Sequence, residues 1–486
     1  MKKWVRDDVP SFVVVGRINM GKSSVLATLL EIDDNDQVRV SSQPVTTTRC
    51  QVLPLTIDGQ ERLRFIDSPG FSTALEAMRE IKDLAGEKTP GLEDVQRFVD
   101  EARAAGEFED EVRLLEPVLE GAGVLYVVDT SKPLRDAFVA EMEILRWTGR
   151  PRMALINQRA DEDDHQLRED WKTKLGSYFN LTRTFNAHRA DFDERMRLLN
   201  SLLEIDEDAR TAVEATMELL KQEWEQRRED SAEVLLSFLE KALTLRESAT
   251  LDERDLAVEH RRERRKEELT KSYYEKIAKM EKACVEKILD LYHHTRLVTE
   301  TRSENYEGID LESSETWSKW GLTRGQLTAV GGIAGGMAGG AIDLGTGGLT
   351  HGLGTLIGAI GGASAAFLKG GELPDLKIDL TGGAKLAAGE GRSLSVGPPA
   401  SQNFPWVLLD SVLFHYAEML QRAHGRRDVQ VLASDGGQSF SRSFPISRRR
   451  TLTKWFASCM KGDPDREQEP EVYRELIESM KEIEEQ

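Results

Sequence analysis

The most specific chemistry in the chain lies in Gly16-Arg17-Ile18-Asn19-Met20-Gly21-Lys22-Ser23. This spacing fits GxxxxGK[ST], the loop that cradles a polyphosphate. Its glycines let the backbone wrap the phosphates, while successive N–H groups and a following helix N-terminus supply donors and a positive dipole. Lys22 is expected to reach the β and γ phosphates and the Ser23 hydroxyl to ligate Mg²⁺. Gly16, Asn19, Met20, Gly21, Lys22, Ser23 and Ser24 make up the expected nucleotide-binding loop. The context is right: the apolar run FVVVG precedes it and the helical pattern SSVLATLL follows. Further along, Asp67-Ser68-Pro69-Gly70 follows RLRFI and matches the DxxG element that senses a γ-phosphate. Asp67 would hold Mg²⁺ through water and the Gly70 N–H would touch the γ-phosphate. Between the two lies Pro44-Val45-Thr46-Thr47-Thr48-Arg49, a run of hydroxyls that alone reads equally as a polar turn.

Taken together, G-R-x-N-x-G-K-S-S, T-T-R and D-S-P-G resemble the Era/Der/TrmE branch of the translation-factor-related GTPases. The glycine-rich stretch and the ending FPWVLLDSVLFHYAEMLQRAHGRRD look like bacterial GTPases followed by a C-terminal domain of unknown function. The motif resemblance covers residues 1–202 and the wider one the whole chain. It implies a GTP-hydrolysing switch with GTP and GDP as ligands and Lys22, Thr48 and Gly70 as catalytic contacts. Ser23, Thr48 and Asp67 would then be the Mg²⁺ residues, with Thr47 the alternative to Thr48.

Two departures stand out. Phe71 follows DSPG where Ras-like GTPases carry the glutamine that orients water, and a phenylalanine cannot hydrogen-bond water. Turnover is therefore expected to be slow unless another group completes the site. The resemblance offers Asn19 as a K⁺ ligand, K⁺ then replacing an arginine finger electrostatically. Asn19 bracing the loop and an arginine supplied by a partner are the alternatives. The second departure concerns the base. Asn157-Gln158-Arg159-Ala160-Asp161 stands where guanine sites have N-K-x-D. Asn157 is well placed, Arg159 could stack on the base, and Asp161 could reach it only through a bulge. Asn186-Ala187-His188 resembles the S-A-K element that contacts the guanine O6. GTP is favoured, and ATP stays open.

These residues need a scaffold. Residues 1–202 alternate apolar β-branched runs (12–16, 62–70, 123–129, 151–157, 182–188) with amphipathic stretches, the pattern of a parallel sheet covered on both faces. The expected fold is α/β: a P-loop NTPase domain with a mostly parallel sheet, then a long α-helical region and a mixed C-terminal domain. The charged helical segment Ala74–Leu115 reads as an insertion after the γ-phosphate sensor or as an extended switch region. Residues 203–320, nearly free of proline, read as a helical bundle or coiled-coil arm through which the chain could dimerise. Residues 321–371 form a glycine-rich apolar hairpin, and 372–486 a mixed α/β domain. In the latter, LKIDL and RSLSVG read as strands, FPWVLLDSVLFHYAEMLQRAHG as an amphipathic helix and PEVYRELIESMKEIEEQ as a terminal helix.

Within 326–368 the only formal charge is Asp343, and glycines recur at four-residue steps. Such spacing lets membrane helices touch, yet glycine is costly in a water-exposed helix. A hairpin buried in protein in one state and in lipid in another is the expectation, with a buried soluble hairpin as its rival. Localisation is accordingly expected to be cytoplasmic, with peripheral or hairpin contact at the inner membrane.

Composition narrows the partners. The 486 residues carry 85 acidic and 65 basic side chains, a net charge of −20, which disfavours nucleic acid or ribosome as a non-specific partner. Cys50, Cys284 and Cys459 are too dispersed for a disulfide framework or a zinc cluster, and the opening MKKWVRDDVP lacks the apolar core of a secretion signal. The block HRRERRKEE at 260–268 reads as a solvated helix face, and His293-His294 as a helix-surface pair. Ser447-Arg448-Arg449-Arg450 with Lys454-Trp455-Phe456 reads as a solvated loop or as an anionic-lipid or RNA contact.

Overall fold

The computed structural model describes residues 4–17, 19–32, 50–157, 165–187, 191–251, 258–294, 321–322, 326, 392–398, 402–421 and 439–486. Two compact units emerge, one of Met1–Glu225 with Leu420–Asp428, the other of Gln226–Met419 with Val429–Gln486.

In the first unit the apolar runs are strands: β1 (Ser11–Val15), β2 (Gln51–Ile57), β3 (Gln60–Asp67), β4 (Gly123–Val128), β5 (Arg152–Asn157) and β6 (Leu181–Phe185). They form one sheet in the order β2-β3-β1-β4-β5-β6. All neighbours are parallel except β2, which runs antiparallel to β3. Every residue of β1 and β4 is buried, because a parallel strand at the centre of such a sheet is covered on both faces. Strand β2 is not among the sequence-predicted strands. It alternates exposed and buried residues, as a strand with one wet face does. It turns into β3 through Asp58-Gly59, both at positive φ, the geometry that Asp-Gly pairs favour in hairpins.

Among the described residues the sheet is accompanied by α1 (Lys22–Leu30), α2 (Ala74–Ala85), α3 (Leu92–Ala105), α4 (Glu109–Leu119), α5 (Asp136–Trp147), α6 (His165–Gly176) and α7 (Phe192–Ile205). Helices α2, α3 and α4 occupy the expected insertion. Its core positions, Ala77, Ile81, Val95, Phe98, Leu114 and Leu115, join the main hydrophobic cluster, so the insertion is part of the domain body.

The second unit is built on the later part of α8 (Arg210–Thr244), with α9 (Glu259–Leu291), α10 (Phe404–Leu420), α11 (Ile446–Lys461), α12 (Glu469–Glu484) and a two-stranded antiparallel sheet of β7 (Glu247–Leu251) and β8 (Arg392–Val396). RSLSV is a strand, as expected, and its partner ESATL interrupts the region read as wholly helical. The reason is long-range: Glu247 pairs with Val396, a match that no local pattern announces.

Three expectations are corrected. FPWVLLDSVLFHYAEML is helical but buried nearly all round, from Phe404 to Leu413 without a break, so α10 is a central helix and not an amphipathic one. Arg448 lies in α11, 5% exposed, paired with Glu475 and Glu482 and stacked over Phe444. Trp455 and Phe456 are core residues, so the segment is a packed helix and not a solvated loop, with Arg450 and Lys454 left on its exposed side. His294 is buried and His293 exposed, both beyond the end of α9, so they are not a helix-surface pair. The block at 260–268, by contrast, is a largely exposed face of α9.

Gly321, Leu322 and Gln326 are fastened inside this unit. The Gly321 N–H donates to Asp410 Oδ2 at 2.7 Å and the Leu322 N–H to Asn403 Oδ1 at 2.9 Å. The Gly321 carbonyl accepts from Ser439 Oγ and from Arg442 Nε. Gln326 Nε2 donates to the Arg442 carbonyl. Beyond Gln326 the glycine-rich stretch and LKIDL lie outside the described residues. Among the described residues no helix is long and apolar enough to cross a membrane.

Candidate functional site

The site gathers at the C-terminal end of the parallel strands, where three loops meet. The first joins β1 to α1. Gly16 has φ +151, and a Cβ there would lie 2.4 Å from the Val127 carbonyl oxygen of β4, so only glycine lets the loop leave the sheet at this point. Asn19 turns through φ 64 and Gly21 through φ 89, the latter capping α1. No acidic residue occupies the first turn of α1, which leaves its N-terminal N–H groups and dipole for an anion.

Lys22 folds back over the loop, its Nζ donating to the Gly16 carbonyl at 2.7 Å and more weakly to that of Arg17. It is 8% exposed. Burial pushes its ammonium below the usual lysine range, opposed by the carboxylates of Asp67 and Glu141. Asp67 ends β3 opposite Val14 and is also buried; Ser23 at the start of α1 is half-buried.

Arg17 points away from the expected phosphate position. Its Nε donates to Glu141 Oε1 of α5 at 2.6 Å, and its guanidinium lies over the Phe138 ring. Glu141 is fully buried and accepts from Tyr126 of β4 as well. Burial raises its carboxyl above the usual range, and the bonds from Tyr126 and Arg17 oppose that shift. The pair braces the loop from below.

The second loop is the γ-phosphate sensor. Ser68 Oγ donates to the Val14 carbonyl, fixing the DSPG turn against β1. Gly70 has φ +86, and a Cβ there would sit 2.6 Å from the Gly16 carbonyl oxygen, so sensor and phosphate loop approach backbone to backbone. Phe71, where a water-orienting glutamine would stand, is 6% exposed and packed in the core.

The third region brings Asn157 and Ala187 together. Asn157, wholly buried at the end of β5, donates through Nδ2 to the Met20 carbonyl and accepts from the Ala187 N–H. Thr28 of α1 donates to the Ala187 carbonyl. One side chain thus ties the phosphate loop to the expected base-binding segment, with Asn186 beside it. Thr47, Thr48, Arg159, Asp161 and His188 lie outside the described residues.

Sequence reasoning missed two residues. Lys132, in the loop after β4, donates from Nζ to the Asn19 carbonyl at 3.3 Å, and its own carbonyl is held by Trp171 Nε1 at 2.7 Å. Nothing in the stretch DTSKP marks it. Glu111 of α4 accepts from the Ser72 and Thr73 N–H groups directly after the sensor; its place in a helical insertion carried no signal.

Among the described residues no cluster of three His, Cys, Asp or Glu side chains could hold a metal. The oxygen donors of Ser23 and Asp67 suit Mg²⁺, which takes one or two protein oxygens and completes its octahedron with phosphate oxygens and water.

Comparison with known proteins supports a P-loop GTPase domain at the N-terminal side. Residues 11–158 match the family model described as 50S ribosome-binding GTPase, and residues 172–481 match the model described as a domain of unknown function, DUF3482. No curated protein matches. Among solved structures, a bacterial selenocysteine-specific elongation factor, EF-Sec, is similar at 15% identity and TM-score 0.27, over 41% of this chain and 28% of that one. Era from Aquifex aeolicus, as a point variant bound to GDP·AlF4⁻, is similar at 15% identity and TM-score 0.26, over 50% and 73%. Era in complex with MgGDPNP and a segment of 16S ribosomal RNA gives 14%, 0.27, 51% and 73%. The chain thus spans little more than a quarter of the elongation factor's length, and at these scores no functional detail passes between them.

Proposed function

The chain belongs to the DUF3482 family, with a P-loop GTPase domain at residues 11–158, and from that premise we propose that it works as a conformational switch that hydrolyses GTP to GDP and phosphate. The observation that carries the proposal is the convergence at the phosphate loop. Lys22 is folded onto Gly16, Gly70 lies against the same carbonyl, and Asn157 joins Met20 to Ala187.

On binding GTP, Lys22 exchanges the Gly16 carbonyl for the β and γ phosphate oxygens, a charge-assisted contact in a dry site. The N-terminus of α1 receives the phosphates, and Gly70 offers its N–H to the γ-phosphate. Ser23, Thr48 and Asp67 would hold Mg²⁺, which supplies neutralisation of the charge developing on the phosphate oxygens. With Phe71 buried, no side chain at that position orients the attacking water, so basal turnover is slow. Asn19, exposed on the rim, supports K⁺ activation as the remedy. Loss of the γ-phosphate releases the segments around Thr48 and Gly70.

The experiment is competition of GTP, GDP and ATP against a fluorescent nucleotide in Mg²⁺ with K⁺ or Na⁺, beside Lys22→Ala. GTP and GDP should displace the probe, K⁺ should raise turnover over Na⁺, and Lys22→Ala should lose about 10²-fold or more. Equal displacement by ATP would overturn the guanine assignment.

The finer role we place at a membrane surface. The glycine-spaced stretch 326–368, whose one formal charge is Asp343, supports it. Nucleotide-dependent flotation with liposomes, lost on deletion of 326–368, is the expected result. The ribosome is the second reading, favoured by the description of the model matching residues 11–158 and opposed by the net charge of −20. Salt-sensitive co-sedimentation with ribosomal subunits, without flotation, would decide for it.

A further inference from the structure

Helix α4 opens with Glu109, Asp110 and Glu111. Glu111 is 1% exposed, and among the described residues no cation pairs with it. Its Oε1 instead accepts from the Ser72 N–H at 2.9 Å, the Thr73 N–H at 2.5 Å and Thr73 Oγ1 at 3.1 Å. Next to it, Asp110 Oδ2 accepts from Ser72 Oγ at 2.5 Å. Ser72 and Thr73 directly continue the sensor. In sequence, Gly70 faces the phosphate loop, Phe71 is driven into the core, and the next two residues are gripped by α4. Such a short, packed segment cannot shift Gly70 without moving the donors that satisfy Glu111.

The same turn of α4 meets the other nucleotide-sensing segment. Cys50, directly after the Thr46–Arg49 run, donates from Sγ to the Arg113 carbonyl at 3.1 Å. Burial pushes this thiol up to about 12, so it stays a protonated donor at neutral pH. One turn, Asp110 to Arg113, therefore holds the exits of both segments that the γ-phosphate would order. A buried carboxylate that loses its donors carries a large desolvation cost, so the grip favours two discrete arrangements over a continuous slide.

We propose that Glu111 is a positioning residue for the γ-phosphate sensor, and that the first turn of α4 is where the nucleotide state leaves the site, taking in Cys50 and Ser72–Thr73 together. The proposal rests on the GTPase reading above and names its output element.

The test uses the full chain in Mg²⁺. Glu111→Ala should lower kcat for GTP by about tenfold, while KM and the GDP Kd stay within about twofold. Glu111→Gln, which keeps an acceptor oxygen, should recover most of the loss. Hydrogen exchange of the unsubstituted protein gives a second readout, independent of how the variants fold. Protection at Ser72–Thr73, at Cys50 and in the first turn of α4 should differ together between GDP and a non-hydrolysable GTP analogue. A folded Glu111→Ala protein with unchanged kcat, or with GDP affinity lost in step with kcat, would overturn the proposal. Identical exchange at all three places would do the same. If the unsubstituted protein binds neither guanine nucleotide, the GTPase reading itself fails and this inference with it.

Discussion

Asn157 and Lys132 reach adjacent carbonyls of the phosphate loop, those of Met20 and Asn19, from the ends of neighbouring strands. The irregular motif NQRAD made the base side of the site look incomplete in sequence. The structure supplies a lysine close by, but from the β4–α5 loop. Asn157 was legible because its motif position follows a recognisable strand. Lys132 was not, because its closeness to Asn19 depends on β4 lying next to β1 in the sheet. A lysine ammonium that no described carboxylate pairs with, beside a loop built for polyphosphate, should add to nucleotide affinity. Lys132→Ala is expected to weaken GDP and GTP about equally, by roughly three- to tenfold, in displacement of a fluorescent nucleotide. Unchanged affinities would leave Lys132 no role beyond the loop's surface.

Helices and strands were legible in proportion to how local their causes are. The FVVVG and GVLYVV runs announced buried parallel strands, and the insertion announced its helices by apolar spacing. The burial of α10 could not be read from its own residues, since it depends on neighbours distant in sequence. Helix α9 shows both sides of this. Its spacing puts Ile277, Glu281 and Val285 on one face, and all three are buried. A carboxylate among apolar residues is intelligible only with its partner, Ser411 of α10, which donates to it. Burial lifts Glu281 to about 7, the Ser411 bond opposing the shift. The unfolded chain releases this proton near 4.5, its ordinary value. The stabilisation from holding it is therefore complete below about pH 4.5 and lost as pH rises through about 7. Glu281→Gln, always neutral, should be the more stable protein at pH 8, by on the order of 1–3 kcal/mol. That advantage should vanish towards pH 4.5. Urea unfolding at pH 5 and pH 8 checks it, and a pH-independent difference would refute it.

At the scale of the molecule, the first unit could be foreseen because its function is written in short contiguous motifs that each call for one strand-to-helix turn. The second unit hides its logic in distance. Arg228 pairs with Glu484 across 256 positions, Tyr292 meets Tyr416 across 124, and Gly321 meets Asp410 across 89. Asp410 is the hub, fully buried and also accepting from Ser439 and from both Ser441 groups. Asp410→Ala strands several donors and should destabilise this unit by on the order of 2–4 kcal/mol. GDP affinity should change by less than about twofold, since Asp410 and the donors it holds belong to the second unit and the phosphate loop to the first. Limited proteolysis beside nucleotide titration separates the two effects, and parallel loss of both would contradict the expectation.

The fastening of Gly321 also has a consequence in time. A ribosome makes Gly321 and the glycine-rich stretch after it before it makes Asp410, and Ser439 comes 118 residues later than Gly321. At ~5–20 residues per second this is a wait of roughly 6–24 s. During that interval the nascent chain has made the GTPase domain of residues 11–158 and the glycine-rich stretch, but not yet all the residues that will clamp its root. Any partner that took up that stretch during synthesis would meet it ahead of competition from the completed clamp.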